Sequence, residues 1–230
     1  MKKKKVLFII LFCFFIIFLI FGYGVVINKK VQEDRLLRDV EMFASKDILN
    51  DRKFSFSSVS FQYKEVEDYI EDYIDEFYKQ YQIVMSYAND QELITLLSVS
   101  NYLEDGKEFY NSFGYLDDVR IRFQKDIDKL LTFCTKSGII EFSNKISLSN
   151  YYQDIFVDSV MDSSLFIKLK QYKSSFLESE NRMNNIFNTI TDVLVFLKSN
   201  PDDWKVEDNQ IQFSTDDFVN HYNFLVSNIQ

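Results

Sequence analysis

The chain reads as an all-α protein: a single N-terminal transmembrane helix, then an extracytoplasmic antiparallel helical bundle with a small C-terminal β-hairpin and a closing helix. Three observations predict it. Apolar residues after residue 30 step by threes and fours, the spacing that lines one face of a helix. Helix breakers are scarce, with one Pro and five Gly among 230 residues. Near the start, Val6 to Ile27 reads VLFIILFCFFIIFLIFGYGVVI, with no charge and no Pro. At about 1.5 Å per residue this run reaches roughly 33 Å, enough to cross a hydrocarbon core of about 30 Å.

The flanks orient the expected span. Lys2, Lys3, Lys4 and Lys5 precede it, while Lys29 and Lys30 are soon followed by Glu33 and Asp34. Basic residues beside a span stay in the cytoplasm, so the N-terminus is expected inside and the C-terminal part outside. A cleaved signal peptide would have a shorter apolar run, of about 7 to 15 residues, ending at a small-x-small site. Gly22-Tyr23-Gly24 is a poor one. Cys13 sits in mid-span between Phe12 and Phe14, which does not suit a lipoprotein. The expected division is a basic stub over 1–5, the span over 6–27, a juxtamembrane helix and linker over 28–62, and a helical bundle over 63–230.

The first helix is expected from about Val31 to Asp51, with a loose stripe of Leu36, Val40, Phe43 and Ile48. Phe54 to Tyr63 is Ser-rich and reads as a linker. Val66, Ile70, Tyr73, Phe77, Tyr81, Val84 and Ala88 then mark one long helix, whose opposite face carries Glu67, Asp68, Glu71, Asp72, Asp75 and Glu76. Asn89 with Glu92 has the spacing of a capping box. Leu93, Leu96, Leu97 and Leu103 are the expected buried side of the helix it starts. Asp105-Gly106-Lys107-Glu108 ends that helix and caps the next.

Phe109, Phe113, Leu116, Phe123, Ile127, Leu130 and Cys134 continue for about seven turns, with Ser137-Gly138 as the expected stop. Ile139 to Met161 holds short helices broken near Ser147, with Asn150 and Gln153 at a second start. Asp162-Ser163-Ser164 caps the longest helix, striped by Leu165, Leu169, Tyr172, Phe176, Met183, Ile186, Ile190, Val193 and Leu197. Asn200-Pro201 stops it, because Pro cannot continue a helix. Trp204 to Phe213 reads as two short strands about a tight turn. Ser214 is the expected cap of a last helix, with Asp216 and Asp217 in its first turn and a stripe of Phe218, Tyr222, Leu225 and Ile229.

Charge narrows the partners. Setting aside the four N-terminal lysines leaves 22 basic against 35 acidic residues, a net of −13 for the part expected outside. Such a domain repels nucleic acid and attracts cationic partners. Cys134 is the one cysteine beyond the span, so no disulfide within the chain is expected there; on the stripe it reads as an inert small hydrophobe. A composition rich in Lys, Asn, Ile, Phe and Tyr with two Ala has the style of a low-GC, Gram-positive genome.

Little points to catalysis. His221 is the only His, and no Gly-rich phosphate loop, HExxH or GxSxG occurs. No catalytic, cofactor-binding or metal-ligating residue is assigned. The carboxylates from Glu67 to Glu76 and those around Asp202, Asp203, Glu207 and Asp208 read first as solvated faces, with cation binding as the minor alternative. The chain has 24 Phe, 14 Tyr and one Trp, and most fall on stripes. Trp204, Phe213, Tyr110 and Tyr151 form the candidate partner surface. For Trp204 two roles stay open, a core side chain holding the hairpin or an exposed anchor.

The runs NDQELITLLSVSNYLEDGKEF (Asn89 to Phe109) and DDWKVEDNQIQFSTDDFVNHYNFL (Asp202 to Leu225) resemble segments of uncharacterised, membrane-tethered helical proteins of low-GC Gram-positive bacteria. That resemblance implies no activity and transfers no site residues. The expected function is a membrane-anchored, non-enzymatic interaction module for a protein or peptide partner, an immunity or secretion-accessory protein being one concrete form. The alternative is an extracytoplasmic small-ligand or cation sensor.

Overall fold

The computed structural model describes residues 26–50, 57 and 60–228. The chain is mostly helical, and the only sheet among the described residues is one C-terminal hairpin. Most of the expected span, together with Phe54, Phe56 and Ile229, lies outside the described residues. Among those residues, no helix is long and apolar enough to cross a membrane.

The fold divides into two compact units, each discontinuous in sequence. The first takes residues up to Asp75 together with Lys136–Lys168; the second takes Glu76–Thr135 and Leu169–Gln230. The first contains α1 (residues 26–44), the first part of α2 (Phe61–Ser86), α6 (Lys136–Ser143), α7 (Asn150–Met161) and the start of α8 (Ser164–Ser199). Leu36, Val40 and Ile48 are fully buried, so the helix expected to be juxtamembrane is a full member of this unit's core. Tyr73, Phe142 and Phe156 form an aromatic trio, with ring centroids 5.0 Å (Tyr73–Phe142), 5.6 Å (Phe142–Phe156) and 6.0 Å (Tyr73–Phe156) apart. Offset and edge-on pairs of this kind are favourable beyond the area they bury. The amino end of α8 is capped from a distance: Glu41 accepts from the Ser164 backbone N–H at 2.8 Å and from the Ser164 hydroxyl.

The second unit is built on three long helical runs, the rest of α2, α5 (Tyr110–Phe133) and the rest of α8. Phe77 meets Phe133 while Tyr87 meets Phe123, so α2 and α5 run antiparallel. Arg120 bonds Thr191 while Gln124 bonds Glu180, so α5 and α8 are antiparallel as well. Short helices α3 (Gln91–Thr95) and α4 (Val99–Asp105) connect α2 to α5. Asp105 ties that connection down by accepting from the backbone N–H groups of Asn111 and Ser112 at 3.0 and 2.8 Å. Burial works to raise the Asp105 carboxyl, but these bonds outweigh it and hold it below the usual carboxylate range.

Strands β1 (Trp204–Glu207) and β2 (Gln210–Phe213) pair antiparallel with Trp204 opposite Phe213. Asp208 and Asn209, at φ 51° and 57°, make the turn, and two consecutive left-handed residues are the geometry that matches strand twist in a two-residue hairpin. Helix α9 (Asp216–Ser227) closes the chain.

Several local expectations need correction. The cap of α3 is Asp90, whose side chain accepts from the Leu93 N–H at 3.1 Å, in place of Asn89. Ser149 occupies the cap position of α7 and Thr215 caps α9, each one residue away from the position or pair expected. Leu103 is 61% exposed, because a break at Leu96–Ser98 resets the helical phase between α3 and α4. Ala88 is exposed too, since α2 gives way to a 3-10 turn at Tyr87–Asn89. Ser137-Gly138 does not end α5: the helix stops at Phe133, and both residues lie inside α6. Glu67 is only 3% exposed, so it is no part of a solvated carboxylate ladder. The stripe of α9 is half-buried and includes no fully buried residue among those described.

Candidate functional site

An apolar groove of about 270 Å³ opens on the second unit, lined by Tyr87, Ala88, Leu93, Ile94, Leu97, Met183, Ile186, Ile190 and Val226. Its walls come from the α2–α3 connection, α3, α8 and α9. The wall formed by residues 87–97 is fixed from behind. The Tyr87 hydroxyl donates to Asp126 at 2.7 Å, and its ring stands edge-on to Phe123 at 5.4 Å. Burial first, and the Asp126 carboxylate second, push that phenol well above its ordinary range, so it stays a neutral donor. Asp90 caps α3 and also accepts the Tyr115 hydroxyl, with both carboxylate oxygens at 2.7 Å. Asn101 donates to the Leu96 carbonyl and to Ser112, both at 2.9 Å, which holds the turn after Leu96.

These anchors leave Ile94 60% exposed at the lip while Leu93 beside it is buried. Met183 and Ile190, on the α8 side, are buried, and Ile186 is half-buried. The groove is slightly below the roughly 300–1,000 Å³ of small-molecule sites, and its walls offer few hydrogen-bonding groups. It suits one or two aliphatic side chains of a larger partner. The sequence held one signal of it. Ile94 directly follows Leu93, which widens the apolar face of α3 beyond what one neighbour covers.

The four aromatic residues expected to form a partner surface have different fates. Trp204 is 6% exposed; it stacks on Phe109 at 6.0 Å and its Nε1–H donates to the Leu197 carbonyl at 2.8 Å. It is a core side chain, and its role as an exposed anchor is ruled out by burial. Phe213 is half-buried between Phe196 at 6.3 Å and Tyr222 at 5.1 Å, so it too serves packing. Tyr110 is 72% exposed, with the Lys198 ammonium 5.1 Å from its ring centre. Tyr151 is 38% exposed and belongs to the first unit, so it shares no surface within a unit with the other three.

Tyr151 borders a separate pocket of about 380 Å³ that the carboxylates Glu33, Asp34, Asp154, Asp158 and Asp162 line along with Leu37, Ile155 and Ser159. The Tyr151 hydroxyl donates to Glu33 at 2.6 Å, and Lys29 stands 4.2 Å over its ring. Burial, then the neighbouring Asp162, Asp154 and Glu33, raise the Asp158 carboxyl above its ordinary range, with Lys136 opposing. Among the described residues, no group of three or more His, Cys, Asp or Glu side chains is arranged to hold a metal ion.

His221 lies exposed on α9, its ring 4.8 Å from that of Phe196. Cys134 is buried at the end of α5, where burial pushes its thiol up to about 12 despite Lys173. No family model, curated protein or solved structure matches the chain.

Proposed function

We propose that this protein is a membrane-tethered, extracytoplasmic, non-enzymatic interaction module that binds a protein or peptide partner through the apolar groove of its second unit. The observation that carries the reading is the groove itself. Its wall over residues 87–97 is held by hydrogen bonds from behind, yet it keeps Ile94 in water. An aliphatic side chain left exposed beside buried neighbours gains free energy when a partner covers it. The uncharged run of residues 6–27, with lysines before it, supports the tether and the outward orientation. Guarding the outer membrane face, or assisting secretion there, is the biological form that suits such a module.

The test is a photo-crosslinking residue placed at Ile94 in the full-length chain in its own membrane. One discrete product, identified by mass spectrometry and missing when the crosslinker is placed at exposed Ser179, supports the reading. Equal products from both positions, or none from either, overturn it. Protease added to intact spheroplasts should remove the domain, and full protection would refute the outward orientation.

The acidic pocket of the first unit favours a second reading, a sensor of a small cationic ligand. Titrating the chain with a simple diamine decides it. Binding that Asp158→Asn abolishes would support the sensor, and no binding would remove it.

A further inference from the structure

We propose that the groove takes a basic amphipathic peptide segment, its aliphatic side chains seated in the groove and its lysines or arginines at the rim. This deepens the binding role above and rests on it. Negative charge surrounds the apolar centre, and a basic partner complements it.

The second unit, residues 76–135 and 169–230, carries 19 acidic against 11 basic residues, a net of −8. At the α3 side, exposed Glu92 precedes Leu93 and Ile94; the Asp90 carboxylate, already accepting from the Leu93 N–H and the Tyr115 hydroxyl, adds only its net charge there. On α8 the nearest basic side chain in sequence, Arg182 beside Met183, is held by Glu178 at 2.5 Å, so its charge is already met. An anionic or neutral apolar segment would gain only the groove. A basic one gains the groove and long-range attraction, which steers it to this face and disfavours acidic competitors. A largely apolar lining gives affinity with little choice among aliphatic side chains, so the flanking charge is where selectivity resides.

The test uses the full chain in phosphatidylcholine nanodiscs and two labelled peptides with identical leucine spacing, one flanked by lysines and one by glutamates. Empty nanodiscs report binding to lipid. The lysine peptide should bind at least about tenfold more tightly than the glutamate peptide, and less tightly as salt rises. Ile94→Ser should weaken the lysine peptide about tenfold, the scale of a lost apolar anchor. Because Ile94 is exposed, the unfolding midpoint should hardly change.

Equal binding of both peptides, each lost in Ile94→Ser, would overturn the basic partner and leave peptide binding at the groove intact. Neither peptide binding above the Ile94→Ser level would overturn both. Dimerisation that depends on concentration and disappears in Ile94→Ser would give the groove to a second copy, and binding seen only after removal of residues 229–230 would give it to the chain's own end. Either result overturns the proposal.

Discussion

Glu41 and Ser164 lie 123 residues apart in sequence, yet the Glu41 carboxylate accepts from both the backbone N–H and the hydroxyl of Ser164. The contact is reciprocated nearby, where the Lys168 ammonium donates to the Ala44 carbonyl at 3.0 Å and to that of Lys46. A carboxylate thus meets the positive end of α8, and an ammonium meets the last carbonyls after α1. Each charge satisfies backbone groups that a helix end leaves without a partner.

Glu41→Ala should therefore destabilise the protein by about 1–2 kcal/mol, the range of a lost amino-terminal cap. Glu41→Gln keeps an acceptor without the charge and should recover part of that loss. Urea unfolding of the two variants measures it. Equal, negligible effects would mean that water caps α8 equally well.

Trp204→Ala should cost about 3–5 kcal/mol, the scale for emptying a buried aromatic site. Trp204→Phe keeps much of the stacking on Phe109 and loses the bond to the Leu197 carbonyl, worth about 1 kcal/mol. Peptide binding at the groove should survive Trp204→Phe, since Trp204 does not line it. Thermal unfolding together with peptide titration separates the two effects.

Asp158→Asn should raise the unfolding temperature near neutral pH, and only slightly, because Asp158 is solvent-exposed and water screens its acidic neighbours. The folded protein holds the Asp158 carboxyl above its unfolded value, chiefly through burial and its acidic neighbours. Between those two values the folded state binds more protons than the unfolded state, so stability falls as pH rises through that window. The advantage of Asn should shrink on acidification to below the unfolded value and reach its plateau above the folded one. A constant difference from pH 3 to 8 would contradict this.

Cys134 should resist thiol reagents at pH 8 in the native protein and react fully in denaturant. Burial with a thiol pushed up to about 12 leaves almost no thiolate to attack. Rapid native labelling would show that the end of α5 opens readily.

The helical class, the long runs of α2, α5 and α8, the stop at Asn200-Pro201 and the hairpin with its turn were legible because each depends on local signals. Periodicity marks the helices, and Glu207-Asp208-Asn209 between two short apolar-alternating runs marks the turn, although Glu207 itself belongs to β1. Caps were harder. Asn89 and Asp90 are equally good capping types, and the choice of Asp90 depends on Tyr115, which is 25 residues away. No local rule assigns Glu41 to Ser164. Trp204 was legible as a core side chain, since a short hairpin needs support, but its partner Phe109 was not, because only packing brings that ring beneath it. Phe109 itself sits at φ 53°, a backbone state unusual for a bulky residue, and no sequence pattern announces it. The groove escaped detection because it combines residues 87–97, 183–190 and 226, of which only the Leu93-Ile94 pair carried a local signal.

The boundaries of both units fall inside α2 and α8, near Asp75 and Lys168, so neither unit is a continuous stretch of chain. On a ribosome, which delivers the N-terminal end first, residues up to Asp75 emerge without the Lys136–Lys168 segment that completes their core. They must wait while all of Glu76–Thr135 is made, and that segment in turn lacks Leu169 onward. Glu41 and Tyr73 therefore stay without Ser164, Phe142 and Phe156 until well over half the chain exists. A chain so arranged is exposed to premature association during synthesis, and no cut at a single position releases either unit whole.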